Sequence, residues 1–246
     1  MAEIDDALAA SADVEGWLTP AQAKRLWERA SELGPVGRVV EIGSYRGRSA
    51  IVLAMAAPAG AQVIAIDPHA GNDRGPQQIE GTAQEGERDN AAFRANLERA
   101  GVAGRVRHIR LPSQDALAEV PGEIDMLYVD GAHRYGPARD DITRWGARVR
   151  PGGTMLIHDS FSSIGVTFAI LRHLAGGGEF AYAGRTGSLA EYRRTRPRGR
   201  ARLRSTLSQL GQLPWFLRNV LVKIALVLRL RPLARALGHA SGDWPY

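Results

Sequence analysis

Val39-Val40-Glu41-Ile42-Gly43-Ser44-Tyr45-Arg46-Gly47-Arg48-Ser49 decides the reading of this chain. An apolar run carries a carboxylate, a glycine follows two residues after it, and a second glycine opens a helical pattern. That is a strand feeding a tight turn at the N-terminus of a helix. Glycine tolerates positive φ and has no side chain, so such a turn lets the backbone approach a nucleoside-containing ligand closely. The spacing is Gly-x-x-x-Gly rather than the dinucleotide fingerprint, and a carboxylate precedes the first glycine. A carboxylate at this place suits a cationic partner and would repel a pyrophosphate.

Around this stretch, strand and helix patterns alternate. Thr19-Pro20 reads as an N-cap and a preferred first helical residue, opening a helix to about Leu33 with apolar positions at Ala23, Leu26, Trp27 and Ala30. Strands are expected at 39–42, 63–67, 106–111, 124–130 and 154–158. Helices are expected at 49–57, 91–100, 113–120, 137–149 and 166–175. Residues 180–183 and 188–192 are expected to pair as a closing antiparallel hairpin. Such alternation predicts an α/β fold, a Rossmann-like doubly wound and mostly parallel sheet covered on both faces. Ligands in such sheets sit beyond the carboxyl ends of the strands. Glu41, Asp67, Asp130 and Asp159 all fall at or just after those ends. Residues 68–88 are rich in Gly, Gln, Asn and charge without apolar periodicity, and are expected to be a loop covering the site.

With 246 residues the chain can bury a full core, and it has no cysteine, which excludes disulfides and thiolate metal sites. The acidic start, Met1 to Asp13, lacks a secretory signal pattern, so a cytoplasmic location is expected. The net charge of +6 is unevenly spread. From Ala190 onward twelve Arg or Lys face only Glu191 and Asp243, which leaves 20 basic and 24 acidic residues in 1–189. The expected division is a main domain over 1–192 and, over 193–246, an Arg-rich linker with an amphipathic C-terminal helix.

The motif at 41–49 resembles the first cofactor motif of class I S-adenosylmethionine (SAM) methyltransferases. It is closest to the variant in catechol O-methyltransferase and its relatives, and Glu41, Gly43, Tyr45, Gly47 and Ser49 are the positions carried over. Ile64-Ala65-Ile66-Asp67 resembles the second motif, whose acid binds the ribose hydroxyls. Ser113-Gln114 resembles the pair that contacts adenine. Asp130-Gly131-Ala132-His133 and Ile157-His158-Asp159 resemble bacterial O-methyltransferases acting on sugars and secondary metabolites. The resemblance runs from about Trp17 to Tyr192, and the order and spacing of five motifs make it specific. It implies SAM as cofactor and a hydroxyl on a small molecule, sugar or glycolipid as acceptor.

The residue chemistry agrees with each role. SAM carries a sulfonium and an ammonium group, which Glu41 suits, and Asp67 can accept two hydrogen bonds from a ribose diol. His133 lies three residues past a strand-end aspartate, where the catechol enzymes carry a lysine base. An imidazole with an ordinary pKa of about 6.5 suits removal of a hydroxyl proton near neutral pH. Asp130 and Asp159 end adjacent strands and are expected to share a divalent cation, Mg²⁺ ahead of Mn²⁺. Relatives carry an acid or amide beside the second aspartate, where this chain has His158 and Ser160. Asp140 and Asp141 read as acids favoring a helix start, His69 as a loop residue, and His108 and His173 as structural.

Arg193 to Arg204 holds seven arginines in twelve residues, and an apolar stretch with interspersed charges follows from Pro214 to Arg229. Its charges interrupt any run long enough to span a bilayer. A basic amphipathic helix opening on Trp215 and Phe216 suits peripheral contact with the inner membrane face, and equally a helix docked on its own domain or on a second subunit in a homodimer. Nucleic acid is not expected as a partner, since charge alone is an unspecific signal. The competing functions are an RNA methyltransferase using the basic tail and a SAM-binding protein without turnover.

Overall fold

The computed structural model describes residues 3–71 and 81–239. Its core is a seven-stranded sheet with strands β1 (Arg38–Ile42), β2 (Gln62–Ile66), β3 (Val106–Ile109), β4 (Ile124–Val129), β5 (Val149–Ile157), β6 (Phe180–Thr186) and β7 (Leu189–Arg194). Their spatial order is β3-β2-β1-β4-β5-β7-β6. The first five are parallel, and β7 runs antiparallel to both β5 and β6, as the expected closing hairpin.

Strand periodicity explains the two-layered core. Val40, Ile42, Ile64, Ile66, Leu127 and Val129 point to one side of the sheet and Val39, Val63, Ala65, Met126 and Tyr128 to the other. The second side is covered by α2 (Pro20–Ser31), α3 (Arg48–Ala56) and α4 (Ala83–Arg99), through Leu26, Leu53 and Phe93; α1 (Ile4–Ser11) packs on α3. The first side is covered by α5 (Tyr135–Asp140) and α6 (Ile164–Ile170), through Ala138 and Ala169. The strand order reverses between β1 and β4, so the loops leaving those two strands diverge and open a crevice at their carboxyl ends.

Several expected elements change. The loop expected over 68–88 ends earlier: Thr82 caps α4 with Glu85 in a reciprocal capping box, so 83–88 are helical. The inward face of those first turns is Gly86, Asp89 and Asn90, which gives no apolar period to read. Residues 72–80 of the expected cover lie outside the described residues. The single helix expected at 137–149 is α5, then a wide π-helical turn at Asp141–Trp145 and a 3-10 turn at Gly146–Arg148. The helix expected at 113–120 is reduced to a 3-10 turn at Ala116–Glu119. β5 starts at Val149, five residues before the expected strand.

No free linker follows Tyr192. Arg193 and Arg194 complete β7, and α7 (Gly199–Leu210) and α8 (Leu213–Val227) then lie against the sheet end, followed by α9 (Arg231–Ala236). α7 docks through polar groups: Ser205 Oγ accepts from the Tyr182 N–H at 2.9 Å, and Gln209 Oε1 accepts from the buried Tyr192 hydroxyl at 3.1 Å. Phe216 of α8 enters the same apolar cluster as β4 and β5, and Arg185 of β6 stacks over Trp215 at 3.8 Å. The two aromatics expected to face a bilayer are therefore turned toward the protein.

Candidate active site

The turn after β1 is shaped by Gly43 and Gly47, with φ of 84° and 90°. A Cβ on Gly43 would run into the Asp130 carbonyl, so glycine is what brings the ends of β1 and β4 together. Gly47 precedes the first turn of α3, and a Cβ there would lie 3.1 Å from the Phe93 ring. Asp67, just past β2, pins this turn: its Oδ2 accepts the N–H groups of Ser44 at 2.9 Å and Tyr45 at 2.8 Å, and its Oδ1 accepts that of His69 at 2.8 Å. His69 is buried rather than a surface loop residue, with Nε2 2.7 Å from the Tyr45 carbonyl. The Tyr45 hydroxyl donates to Glu15 at 2.9 Å, and Trp17 packs on its ring at 5.4 Å.

Glu41 is wholly buried, and neither carboxylate oxygen makes a hydrogen bond. Burial pushes its pKa up to about 8, while Ser49 and Ser44 beside it, short of hydrogen-bond geometry, pull the other way. Ser44 and Ser49 line the cavity below and Glu41 does not. Direct contact between Glu41 and a ligand, expected from sequence, is thus replaced by a place behind the wall.

Beyond β4 and β5, four titratable groups converge. Asp130 Oδ2 accepts from the Tyr128 hydroxyl at 2.7 Å, and its Oδ1 lies 3.1 Å from His158 Nδ1. Asp159 Oδ2 lies 3.0 Å from His133 Nε2 and 3.4 Å from His158 Nδ1. Asp159 holds φ at 54°, a left-handed conformation that costs a non-glycine residue about 1–3 kcal/mol. Its loop is tied down nonetheless. Ser162 and Ser163 donate their N–H groups to the Asp159 carbonyl, Asn219 Nδ2 donates to the Phe161 carbonyl at 3.3 Å, and Lys223 Nζ to that of Ser162 at 2.9 Å.

Burial alone would depress the pKa of both imidazoles. The Asp159 and Asp130 carboxylates outweigh it, so His133 is raised and His158 is raised well above its ordinary value. Burial would raise Asp159, but the two histidines hold it well below the usual carboxylate range. Ligand atoms of Asp130, His133 and Asp159 all lie within 4.8 Å of one another. The Asp130 and Asp159 carboxylate oxygens suit a hard divalent cation such as Mg²⁺ or Mn²⁺, while His133 Nε2 is turned to Asp159 Oδ2.

At the far end, Ser113 Oγ donates to Asp141 Oδ1 at 2.5 Å, and the Trp145 indole N–H donates to the Ser113 carbonyl at 3.1 Å. Asp141 was expected to serve a helix start. It is instead buried by the π-helical turn, and burial pushes its pKa up to about 6.

These groups share one cavity of about 380 Å³. Of the residues expected from sequence, Gly43, Tyr45, Ser49, Asp67, Ser113, Gln114, Asp130, His133 and Asp159 line it; Glu41 and Gly47 do not. Trp17, Asp141 and His158, not expected at the site, also line it, as does His69, which from sequence could reach the site but reads first as a loop residue. His158 lies within a motif and Asp141 within none, and the direction of each depends on the bend after β5 and the turn after α5, which no periodicity reports.

Residues 40–160 match the family described as a methyltransferase domain. Among solved structures, the chain is similar to the O-methyltransferase TomG from Streptomyces achromogenes, involved in tomaymycin synthesis and solved with SAM. The match has 20% identity and a TM-score of 0.56 and covers 78% of this chain and 89% of that one. It is also similar to an O-methyltransferase from Bacillus cereus in complex with SAH, at 18% identity over 77% of this chain and 90% of the other, TM-score 0.54. The O-methyltransferase NovP matches at 19% identity over 74% of this chain and 84% of its own, TM-score 0.56. At these identities the likeness is one of fold.

Proposed function

We propose that this chain transfers a methyl group from SAM to a hydroxyl of a small molecule, sugar or glycolipid; the match of residues 40–160 to a methyltransferase domain and a fold like that of solved O-methyltransferases support this reading. The observation that carries this reading is the pairing of His133 with Asp159 at 3.0 Å in the same cavity as the glycine turn and Asp67.

Bound SAM supplies an electrophilic methyl group on its sulfonium. Around it, the 43–47 turn would bring backbone close to the methionine end, and Asp67 Oδ1, which accepts only the His69 N–H, keeps an acceptor position for a ribose hydroxyl. Ser113, Gln114 and Asp141 would meet the adenine. Glu41 stands behind Ser44 and Ser49 as a neutral carboxyl, and those two serines are what the methionine end would meet. His133, held by Asp159 through Nε2, takes the acceptor's hydroxyl proton at Nδ1. Asp130 and Asp159 would hold a divalent cation, and the cation would lower the pKa of an acceptor hydroxyl. The proposed location is the cytoplasm, with the C-terminal helices at the inner membrane face.

The test is methyl uptake from labeled SAM into fractionated extracts, by the wild-type chain and by His133→Ala. Loss of the base is expected to reduce turnover by about 10²–10⁴-fold, while stabilization by SAM persists. Wild-type turnover in the variant on the acceptor found would remove the base assignment. Failure of SAM to bind the wild-type chain would remove the reading altogether.

A further inference from the structure

The C-terminal helices dock through mixed faces: Ser205 and Gln209 of α7 and Asn219 and Lys223 of α8 make hydrogen bonds to the domain, while Phe216, Val222 and Ala225 are buried beside them and Leu213, Trp215 and Val220 pack nearby. Their outward sides are apolar. Leu203, Leu207 and Leu210 recur at spacings of four and three along α7, and Leu217, Leu221, Ile224 and Leu228 do the same along α8; each is between 42% and 60% exposed. Leu230 and Leu233 extend the apolar surface into α9. Soluble monomers rarely leave stripes of this kind open to water. The run 199–227 is long and apolar enough to cross a membrane by length and composition alone, but its inward hydrogen bonds lay it along the domain.

Charge identifies what covers the stripes. From Arg193 to His239 the chain has eleven arginines and one lysine and neither Asp nor Glu. Arg198, Arg200, Arg204, Arg229, Arg231 and Arg235 are exposed around the apolar residues. A symmetric contact with a second copy would set this basic surface against itself. Leucines ringed by arginines, without a carboxylate, complement an anionic bilayer: the guanidinium groups meet headgroup phosphates while the aliphatic side chains enter the acyl boundary.

We propose that the exposed face of α7, α8 and α9 seats the protein on an anionic lipid surface. The leucines rather than Trp215 and Phe216 make the apolar contact. The inward side of the same α8 holds the loop of Asp159 through Asn219 and Lys223, so seating fixes the active-site crevice relative to the bilayer. SAM binding does not enter this argument, and the two readings fail separately.

The experiment is flotation of the full chain with vesicles of phosphatidylcholine alone and of phosphatidylcholine with about one-third phosphatidylglycerol. The wild type is expected to float with the anionic vesicles only, and less at high salt. Leu221→Glu/Ile224→Glu and Arg200→Gln/Arg204→Gln each change only exposed positions, and each is expected to weaken partitioning by about tenfold or more with an unchanged thermal midpoint. The proposal is overturned if the wild type stays unbound, or if the arginine variant floats like the wild type. It is equally overturned if sedimentation shows a dimer that the Leu221→Glu/Ile224→Glu pair converts to monomer.

Discussion

Replacing Glu41 by Gln tests whether a carboxyl is held neutral at the center of this fold. Its pKa is raised from 4.5 to about 8, with burial as the leading cause and no hydrogen bond to either oxygen. In the unfolded chain the group ionizes near 4.5, whereas in the folded protein it keeps its proton until about 8. Between those values the folded state binds more protons, so raising the pH must destabilize it. Each pH unit fully inside the window costs about 1.4 kcal/mol, and from about pH 5 to pH 8 the loss is on the order of 3 kcal/mol. Glutamine has no proton to lose. Whatever fixed offset the amide introduces, Glu41→Gln should gain on the wild type by that amount across the interval, read from urea unfolding at both ends. Other groups titrate in both proteins and cancel. Two stability profiles that run parallel from pH 5 to pH 8 would show Glu41 ionized in the fold and refute the reasoning.

Other outcomes follow from the same geometry. Turnover at saturating SAM should rise with pH with a midpoint above the usual imidazole value, because Asp159 and Asp130 raise His133 against the opposing effect of burial; a midpoint below 6.5 in the pH–rate profile would contradict this. Chelation should abolish methyl transfer, and Mg²⁺ or Mn²⁺ should restore it, given the Asp130 and Asp159 carboxylates; full activity in excess chelator would leave His133 working without a cation. A chain ending at Tyr192 reads from sequence as a separable domain, but removing α7 and α8 uncovers Tyr192 and Phe161 and takes Phe216 out of the core. It should be insoluble or broadly unfolded by circular dichroism, and a cooperative unfolding transition like that of the full chain would refute this.

The sequence by itself determined the sheet and the turn that the site is built on. Val39–Ile42 is a short apolar run carrying Glu41, Val63–Ile66 and Ile124–Val129 are runs followed by Asp67 and Asp130, and Gly43 and Gly47 mark backbone positions that a side chain would obstruct. Those signals are local: they depend on period and on steric freedom within a few residues. Tertiary structure alone decided where Asp141, His158, His69 and Glu41 stand relative to the cavity. Each depends on a bend or a packing partner far along the chain, as His69 does on Tyr45 and Asp141 on Ser113. The same holds for the C-terminal helices. A helical wheel shows that α8 has a polar and an apolar side, but not which side meets the domain. That choice was made by Phe216, Val222 and Ala225 packing inward together with polar atoms of Phe161, Ser162, Tyr182 and Tyr192, which would lack partners without Asn219, Lys223, Ser205 and Gln209. An unpaired buried polar group costs about 1–3 kcal/mol, and satisfying several of them outweighs leaving one leucine stripe exposed.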